Sequence, residues 1–166
     1  MEKIFHEVSQ TLSALENSFS RIDLLGINKI PFEGSWTAGQ LIQHMILANG
    51  GMIDVINGPV TETNRPADLK VGQIKEIFLN FEVKFSSPEF IDPPEKEYDK
   101  MQQLDELKRI KAGLCKSIET LDLTRTCSSF ELPGMGSLTR LEALYFVTYH
   151  SQRHTKQLDN IYDKLG

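Results

Sequence analysis

The sequence predicts an all-α protein, a four-helix bundle with a short extra helix and a proline-rich loop before the third long helix. Four long segments repeat apolar residues every three or four positions, which is typical of amphipathic helices. No segment sustains the period-two alternation of a half-buried strand, although residues 130–132 are able to pair briefly. Amphipathic helices with connections of this length bury their apolar stripes most simply as a bundle.

The first two long helices are defined by their periodicity and by their ends. The first is predicted over residues 2–25, where Gly26 is well placed to end it. The second is predicted over residues 37–57, because Thr37 and Gln40 form a capping box at its start. Gly58-Pro59 stops it.

The middle of the chain is less regular. A short helix is predicted over residues 67–81, followed by a loop that three prolines within 86–94 keep out of any regular helix. This loop is expected to wrap the bundle surface, with Phe85, Phe90 and Ile91 as its apolar anchors.

Two further long helices complete the bundle. The third is predicted over residues 96–121, and a connection rich in glycine follows over 122–138. The fourth is predicted over residues 139–164, where Thr139 and Glu142 repeat the capping-box pattern.

Composition excludes several classes of protein. A chain of 166 residues with 40% apolar residues predicts one globular domain spanning 1–166. The formal charge of −5 argues against nucleic-acid binding, and no apolar run is long enough for a membrane span. The first residues lack the apolar core of a secretory signal. Cys115 and Cys127 show no disulfide spacing, so a cytoplasmic protein with free thiols is expected.

Three histidines form the strongest candidate for a chemical site. His150 and His154 are four residues apart on one predicted helix, so both rings leave the same face. His44 lies on the inward stripe of the second helix, and facing helices of a bundle can join such side chains at one divalent cation. Three histidine ligands leave a coordination position open. The alternative is that all three are core histidines hydrogen-bonded to their neighbours.

Other residues near this site are weaker candidates. Arg153 is a candidate for binding an anionic substrate, with a solvated or ion-paired arginine as the alternative. Gln157 lies one turn after His154 and is a candidate to orient that ring or to line a substrate pocket, with a partly exposed polar residue as the alternative. Cys127 is a less favoured fourth ligand, and His6 is expected at the surface.

The chain resembles the DinB/YfiT-like superfamily of metal-binding four-helix bundles. The resemblance is carried by WTAGQLIQH at 36–44 and by LTRLEAL at 138–144 followed by HSQRHTKQ at 150–157. It implies an up-down-down-up bundle with a metal-binding triad at His44, His150 and His154. It also implies nickel, zinc or a similar divalent ion, and for several members a low-molecular-weight thiol used in transferase or isomerase reactions.

The leading functional hypothesis is a metal-dependent enzyme acting on a small-molecule substrate, most specifically a thiol-dependent S-transferase. The residues between His150 and His154 include no glutamate to serve as the general base of a hydrolase, which tilts the choice towards thiol chemistry. A metal-dependent hydrolase is the enzymatic alternative. The non-enzymatic alternative is a non-catalytic metal-binding stress-response bundle. A homodimer is expected only because paired subunits are the commonest symmetric assembly.

Overall fold

The computed structural model describes all 166 residues and is mostly helical. The chain forms four long helices, one short helix, three short strands and one 3₁₀ turn at Glu89–Ile91. The helices are α1 Glu2–Arg21, α2 Ala38–Asn57, α3 Val71–Phe78, α4 Lys100–Thr120 and α5 Arg140–Leu165, and the strands are β1 Val60–Thr61, β2 Thr126–Leu132 and β3 Gly136–Thr139. None of the helices combines the length and the apolar character that a membrane span requires.

The four long helices form the predicted bundle. Helix α1 packs on α4 and α5, and α2 packs on the same two helices, so each long helix has two neighbours in a closed ring. Two apolar clusters fill the interior, one around Phe19, Leu41 and Met45 and the other around Val8 and Leu144. Burial of each such side chain stabilises the fold by about 1.5 to 3 kcal/mol. The up-down-down-up order of helix directions stays a prediction.

A three-stranded antiparallel sheet, in the order β1-β2-β3, corrects the all-α prediction. Val60 pairs with Cys127, and Thr126 pairs with Thr139. The brief pairing expected at residues 130–132 is present, but it belongs to a seven-residue strand. A register shift between Thr126 and Glu131 interrupts this strand, so its side chains do not alternate between buried and exposed. Sequence periodicity therefore underestimates the sheet.

Helix ends were predicted best where a side chain caps them. Both capping boxes are confirmed, at Thr37 with Gln40 and at Thr139 with Glu142. Helix α4 starts at Lys100 rather than near residue 96, because Asp99 accepts a hydrogen bond from the Gln102 amide at 2.8 Å. Helix α1 ends at Arg21 instead of residue 25, and α3 occupies 71–78 instead of 67–81.

A buried ion pair supports the start of α5. The carboxylate of Glu142 is fully buried and accepts hydrogen bonds from the Arg65 guanidinium at 2.6 and 2.7 Å. The backbone amides of Lys70 and Thr139 each donate to it at 2.9 Å. Burial raises the pKa of Glu142, but these hydrogen bonds and the arginine charge outweigh burial and lower that pKa overall. Helix α5, which carries two of the candidate ligands, is thus tied to the segment before α3.

The proline-rich segment is anchored differently from the prediction. Phe90 is 72% exposed and Phe85 is 50% exposed, so neither is a buried anchor, whereas Ile91, the third expected anchor, is half-buried. Tyr98 is buried instead, and its backbone exchanges two hydrogen bonds with the Asn28 side chain, at 3.0 and 2.9 Å. Gly39 permits this contact, because a Cβ atom there would lie 3.0 Å from Tyr98 Cβ.

Candidate metal centre

The structure brings His44, His150 and His154 together between α2 and α5. The capping box at the start of α2 places His44 two turns into that helix, and the four-residue spacing stacks the other two rings along α5. The Nε2 atom of His150 lies 3.3 Å from that of His44 and 3.0 Å from that of His154. Side-chain ligand atoms of the three residues all lie within 4.8 Å of one another.

The opposite ring nitrogens determine which way the lone pairs of two rings point. The Nδ1–H of His44 donates to the Ile91 carbonyl oxygen at 3.0 Å, and the Nδ1–H of His154 donates to Gln157 Oε1 at 2.9 Å. Because a carbonyl oxygen only accepts, each Nδ1 carries the proton and each Nε2 of these neutral rings carries a lone pair. Such acceptors typically orient metal-binding histidines.

The third ring leaves hydrogen-bonding capacity unsatisfied within the group. His150 can direct a proton towards only one of its two neighbours, so one acceptor stays unsatisfied in the protein alone. The Nδ1 atom of His150 is also buried without a partner. Buried polar groups in this condition destabilise the protein, and a divalent cation would satisfy all three Nε2 atoms at once.

Two of the three nitrogen–nitrogen distances fit such an ion. Two nitrogens that each lie about 2.1 Å from one ion are about 3.4 Å apart at the tetrahedral angle and about 3.0 Å apart at a right angle. The separations of 3.0 and 3.3 Å fall in this range. Imidazole ligands suit zinc, nickel, copper and iron. The three-histidine group could therefore hold a metal ion.

Aromatic rings surround the group and restrict access by water. Phe146 stacks on His150 with centroids 5.3 Å apart, and Phe78 meets the same ring edge-on at 5.8 Å. The Trp36 ring lies 5.2 Å from that of His44, so this residue packs beside the site.

Burial also keeps the three rings in the form that binds metals. Burial lowers the pKa of His154 to about 3 and holds the pKa of His150 well below its ordinary value. Burial lowers the pKa of His44 as well, although its bond to Ile91 and the charge of Asp92 oppose this. All three rings are consequently neutral near pH 7, and neutral imidazole is the ligand form.

The other candidates have defined positions. Gln157 hydrogen-bonds His154, which is the orienting arrangement considered from sequence. Arg153 donates to the backbone carbonyls of Asn80 at 2.8 Å, Phe78 at 3.4 Å and Val83. Substrate binding by Arg153 and Gln157 stays a prediction. Cys127 lies in β2 and is not part of the histidine group.

Sequence reasoning missed the contribution of the segment after α3. The Ile91 carbonyl accepts from His44, and Ser87 Oγ lies 3.3 Å from the same Nδ1 atom. A backbone carbonyl leaves no signature in the sequence, because every residue has one. Only the path of the chain shows which carbonyl faces the ring.

Fold and site together define the class of protein: a helical bundle with a three-histidine group between two of its long helices. Residues 7–158, most of the chain, match the family described as the DinB superfamily, and the protein belongs to that superfamily. No curated protein matches the sequence.

A solved structure shares the fold. It is described as the crystal structure of TT2238, a four-helix bundle protein. The two chains are 19% identical, the TM-score is 0.59, and the match covers 96% of this chain and 98% of the other. At this level of identity the likeness establishes the fold alone.

Proposed function

We propose that His44, His150 and His154 hold one divalent cation, nickel or zinc, and that the protein uses it as a thiol-dependent S-transferase. The observation that carries the proposal is the convergence of three Nε2 atoms at 3.0 and 3.3 Å, with two of the rings oriented through Nδ1. Membership of a metal-binding superfamily supports it.

Each residue of the site has a role in this proposal. The three rings bind the ion as neutral ligands, so its positive charge is not neutralised by the protein. Ile91 orients His44, and Gln157 orients His154. Phe78 and Phe146 exclude water from the side of His150. When bound, the ion supplies Lewis acidity, which favours the thiolate form of a low-molecular-weight thiol.

The reaction proposed is a substitution at an electrophilic small molecule. A bond forms between the thiol sulfur and the electrophilic carbon, and the bond from that carbon to its leaving group breaks. The leaving group departs with the electron pair, and the thiol proton passes to solvent, so no oxidant or reductant is needed.

The hydrogen bonds of the site favour thiol transfer over hydrolysis. None of the hydrogen bonds made by the three rings goes to a carboxylate. Activation of water usually requires such a general base beside the metal, whereas a thiol ionises more readily. The charge of Asp92 acts on His44, but Asp92 is an exposed residue and makes no hydrogen bond to the ring.

The first experiment is elemental analysis of protein purified without an affinity tag, and again after incubation with zinc or nickel at neutral pH. We expect near-stoichiometric metal in the wild type and its loss in His44→Ala and in the His150→Ala/His154→Ala double variant. His6→Ala is the matched control, because His6 is an exposed histidine on α1.

The second experiment assays the loaded protein for thiol consumption with a panel of electrophiles. Turnover that disappears on chelation and returns with the metal would support the S-transferase. Hydrolysis of esters or amides in the absence of thiol would instead support a hydrolase and refute the S-transferase. Metal binding without turnover in either panel would leave a non-catalytic metal-binding bundle and refute the enzymatic proposal.

A further inference from the structure

A segment after α3 covers the histidine group with few attachments to the bundle. We call residues 79–91 the strap. Every residue of the strap from 80 to 90 is exposed except Ser87, and its only regular structure is the 3₁₀ turn Glu89–Ile91. A segment with so little buried surface depends on its individual attachments for its position.

One attachment is made by Arg153, which lies between two of the candidate ligands on α5. Its Nη1 donates to the carbonyl oxygens of Phe78 and Asn80, and its Nη2 donates to that of Val83. Its guanidinium carbon lies 4.7 Å from the centre of the Phe85 ring. The planar fork of an arginine suits several carbonyls at once, and lysine does not reproduce it.

A second attachment is the Nζ of Lys156 on α5, which lies 3.9 Å from the centre of the Phe81 ring. The third is the histidine group itself. The Ile91 carbonyl accepts from His44 Nδ1 at 3.0 Å, and Ser87 Oγ lies 3.3 Å from that atom. The strap therefore runs from an arginine on the helix that carries two ligands to the ring that supplies the third. Its position decides whether a carbonyl meets His44.

We propose that Arg153 is a positioning residue, which holds the strap so that the Ile91 carbonyl orients His44 and thereby sets the affinity of the group for metal. The inference rests on the proposed function in one respect, that the three histidines bind a divalent cation. It assigns to Arg153 a role different from the anion binding expected from sequence. Coupling is reciprocal, so metal binding also holds the strap in place.

Zinc affinity, measured by competition with a chromogenic chelator, provides the first test. Loss of a residue that orients a metal ligand typically weakens binding about 10- to 100-fold, and we expect a loss of this size in Arg153→Gln. Arg140→Gln is the matched control: Arg140 is buried on the same helix and donates to the carbonyls of Ile56 at 2.7 Å and Asp122 at 3.2 Å. Because those carbonyls belong to other segments, zinc affinity should change less than about twofold. The visible spectrum of the cobalt-loaded protein should change in Arg153→Gln and not in Arg140→Gln.

Trypsin cleavage after Lys84 provides a second test that needs no metal. Lys84 is exposed and lies within the strap, between the attachments at Val83 and Ser87. In the presence of a chelator we expect cleavage at least about tenfold faster in Arg153→Gln, since hydrogen bonds to a charged donor are lost. Zinc should slow this cleavage in the wild type. Phe85→Ala, which removes the ring beside Arg153 without altering α5, should also speed cleavage and weaken zinc binding, each by a smaller factor.

The outcomes separate the two proposals. A wild type that binds neither zinc nor nickel overturns the proposed function, and with it the effect of Arg153 on affinity. Whether Arg153 attaches the strap is then still tested by comparing the rates of trypsin cleavage of the wild type and Arg153→Gln in chelator. A wild type that binds zinc, with Arg153→Gln binding it equally well, overturns this inference alone. Unchanged cleavage after Lys84 in Arg153→Gln overturns it as well.

Discussion

Replacement of His150 by leucine distinguishes a metal ligand from a core histidine, because the two roles predict different losses of stability with and without metal. The ring is 7% exposed, its Nδ1 atom has no partner, and its Nε2 faces two other ring nitrogens. A core histidine kept for its hydrogen bonds stabilises the protein under all conditions. A ligand at this position stabilises the loaded protein much more than the metal-free one.

The magnitudes follow from the contacts of the ring. Removal of the unpartnered Nδ1 atom relieves about 1 to 3 kcal/mol, but loss of the Nε2 proton leaves one more buried ring nitrogen without a donor at a cost of the same size, and misfit of the new side chain costs up to about 1.5 kcal/mol. In chelator, His150→Leu should therefore lose far less stability than it loses in zinc. With zinc at 1,000 times its Kd, the wild type gains about 4.1 kcal/mol, or about 8 to 16 °C in Tm for a chain of this length. The variant should gain almost nothing.

Urea denaturation followed by circular dichroism, with chelator and with excess zinc, measures all four stabilities. His6→Leu serves as the control, because His6 is exposed on α1 and its replacement should leave the response to zinc intact. If His150→Leu loses the same stability in chelator as in zinc, the imidazole contributes through packing and hydrogen bonds. The reasoning from the converging nitrogens would then be wrong.

Three further predictions test other parts of the structure. Glu142→Gln should cost about 3 to 5 kcal/mol at pH 7 by leaving its arginine partner unpaired. Because the folded pKa of Glu142 is lowered, the stability that its carboxylate contributes is fully present above the ordinary pKa of 4.5 and is lost as the pH falls through the folded pKa. Urea titrations of the wild type at pH 7 and pH 3 should show this loss, and the stability of the variant should depend less on pH. Gln157→Ala should weaken zinc binding about 10- to 100-fold in chelator competition, and Gln157→Glu, which keeps an acceptor, should recover affinity. Equal zinc affinity in the wild type and both variants would exclude an orienting role for Gln157. Gly39→Ala should lower stability by about 1 to 3 kcal/mol, since the new Cβ would lie 3.0 Å from a Tyr98 atom. Gly50→Ala, whose new Cβ would meet nothing within 4 Å, should raise stability by about 0.5 to 1 kcal/mol, and thermal melts measure both changes. A loss in both glycine variants would contradict this account of the helix packing.

The predictable parts of the structure are those in which the type and spacing of the residues indicate the role of each side chain. Both capping boxes and the three histidines are of this kind, because residue type and helical spacing together fix the face on which each lies. The sheet was underestimated, since the register shift in β2 removes the alternation by which strands are recognised. Phe85, Phe90 and Ile91 were expected to anchor the loop from their apolar character, yet of the three only Ile91 is partly buried, and the buried Tyr98 lies beyond the loop.

Arg153 shows why the surroundings of the site were harder to predict than its ligands. Its position beside His154 was visible in the sequence, but its partners are backbone carbonyls of a segment more than 70 positions earlier. Nothing in the side chains of that segment specifies an acceptor for arginine, because the carbonyls are common to all residues. A charged group near a candidate site therefore suggests a charged substrate until the chain path is known.

The histidine group and the strap gain stability from the same event. Without a cation, the lone pairs of the three Nε2 atoms are not all satisfied, and the strap is held by Arg153, by Lys156 against Phe81 and by one histidine proton. A cation that occupies the Nε2 atoms leaves His44 able to present its proton only through Nδ1, which is the proton that the Ile91 carbonyl accepts. Binding at one side of the ring thus strengthens the attachment at the other. The cover of the site should be most firmly held when the metal is present, and loosening the cover should in turn release the metal.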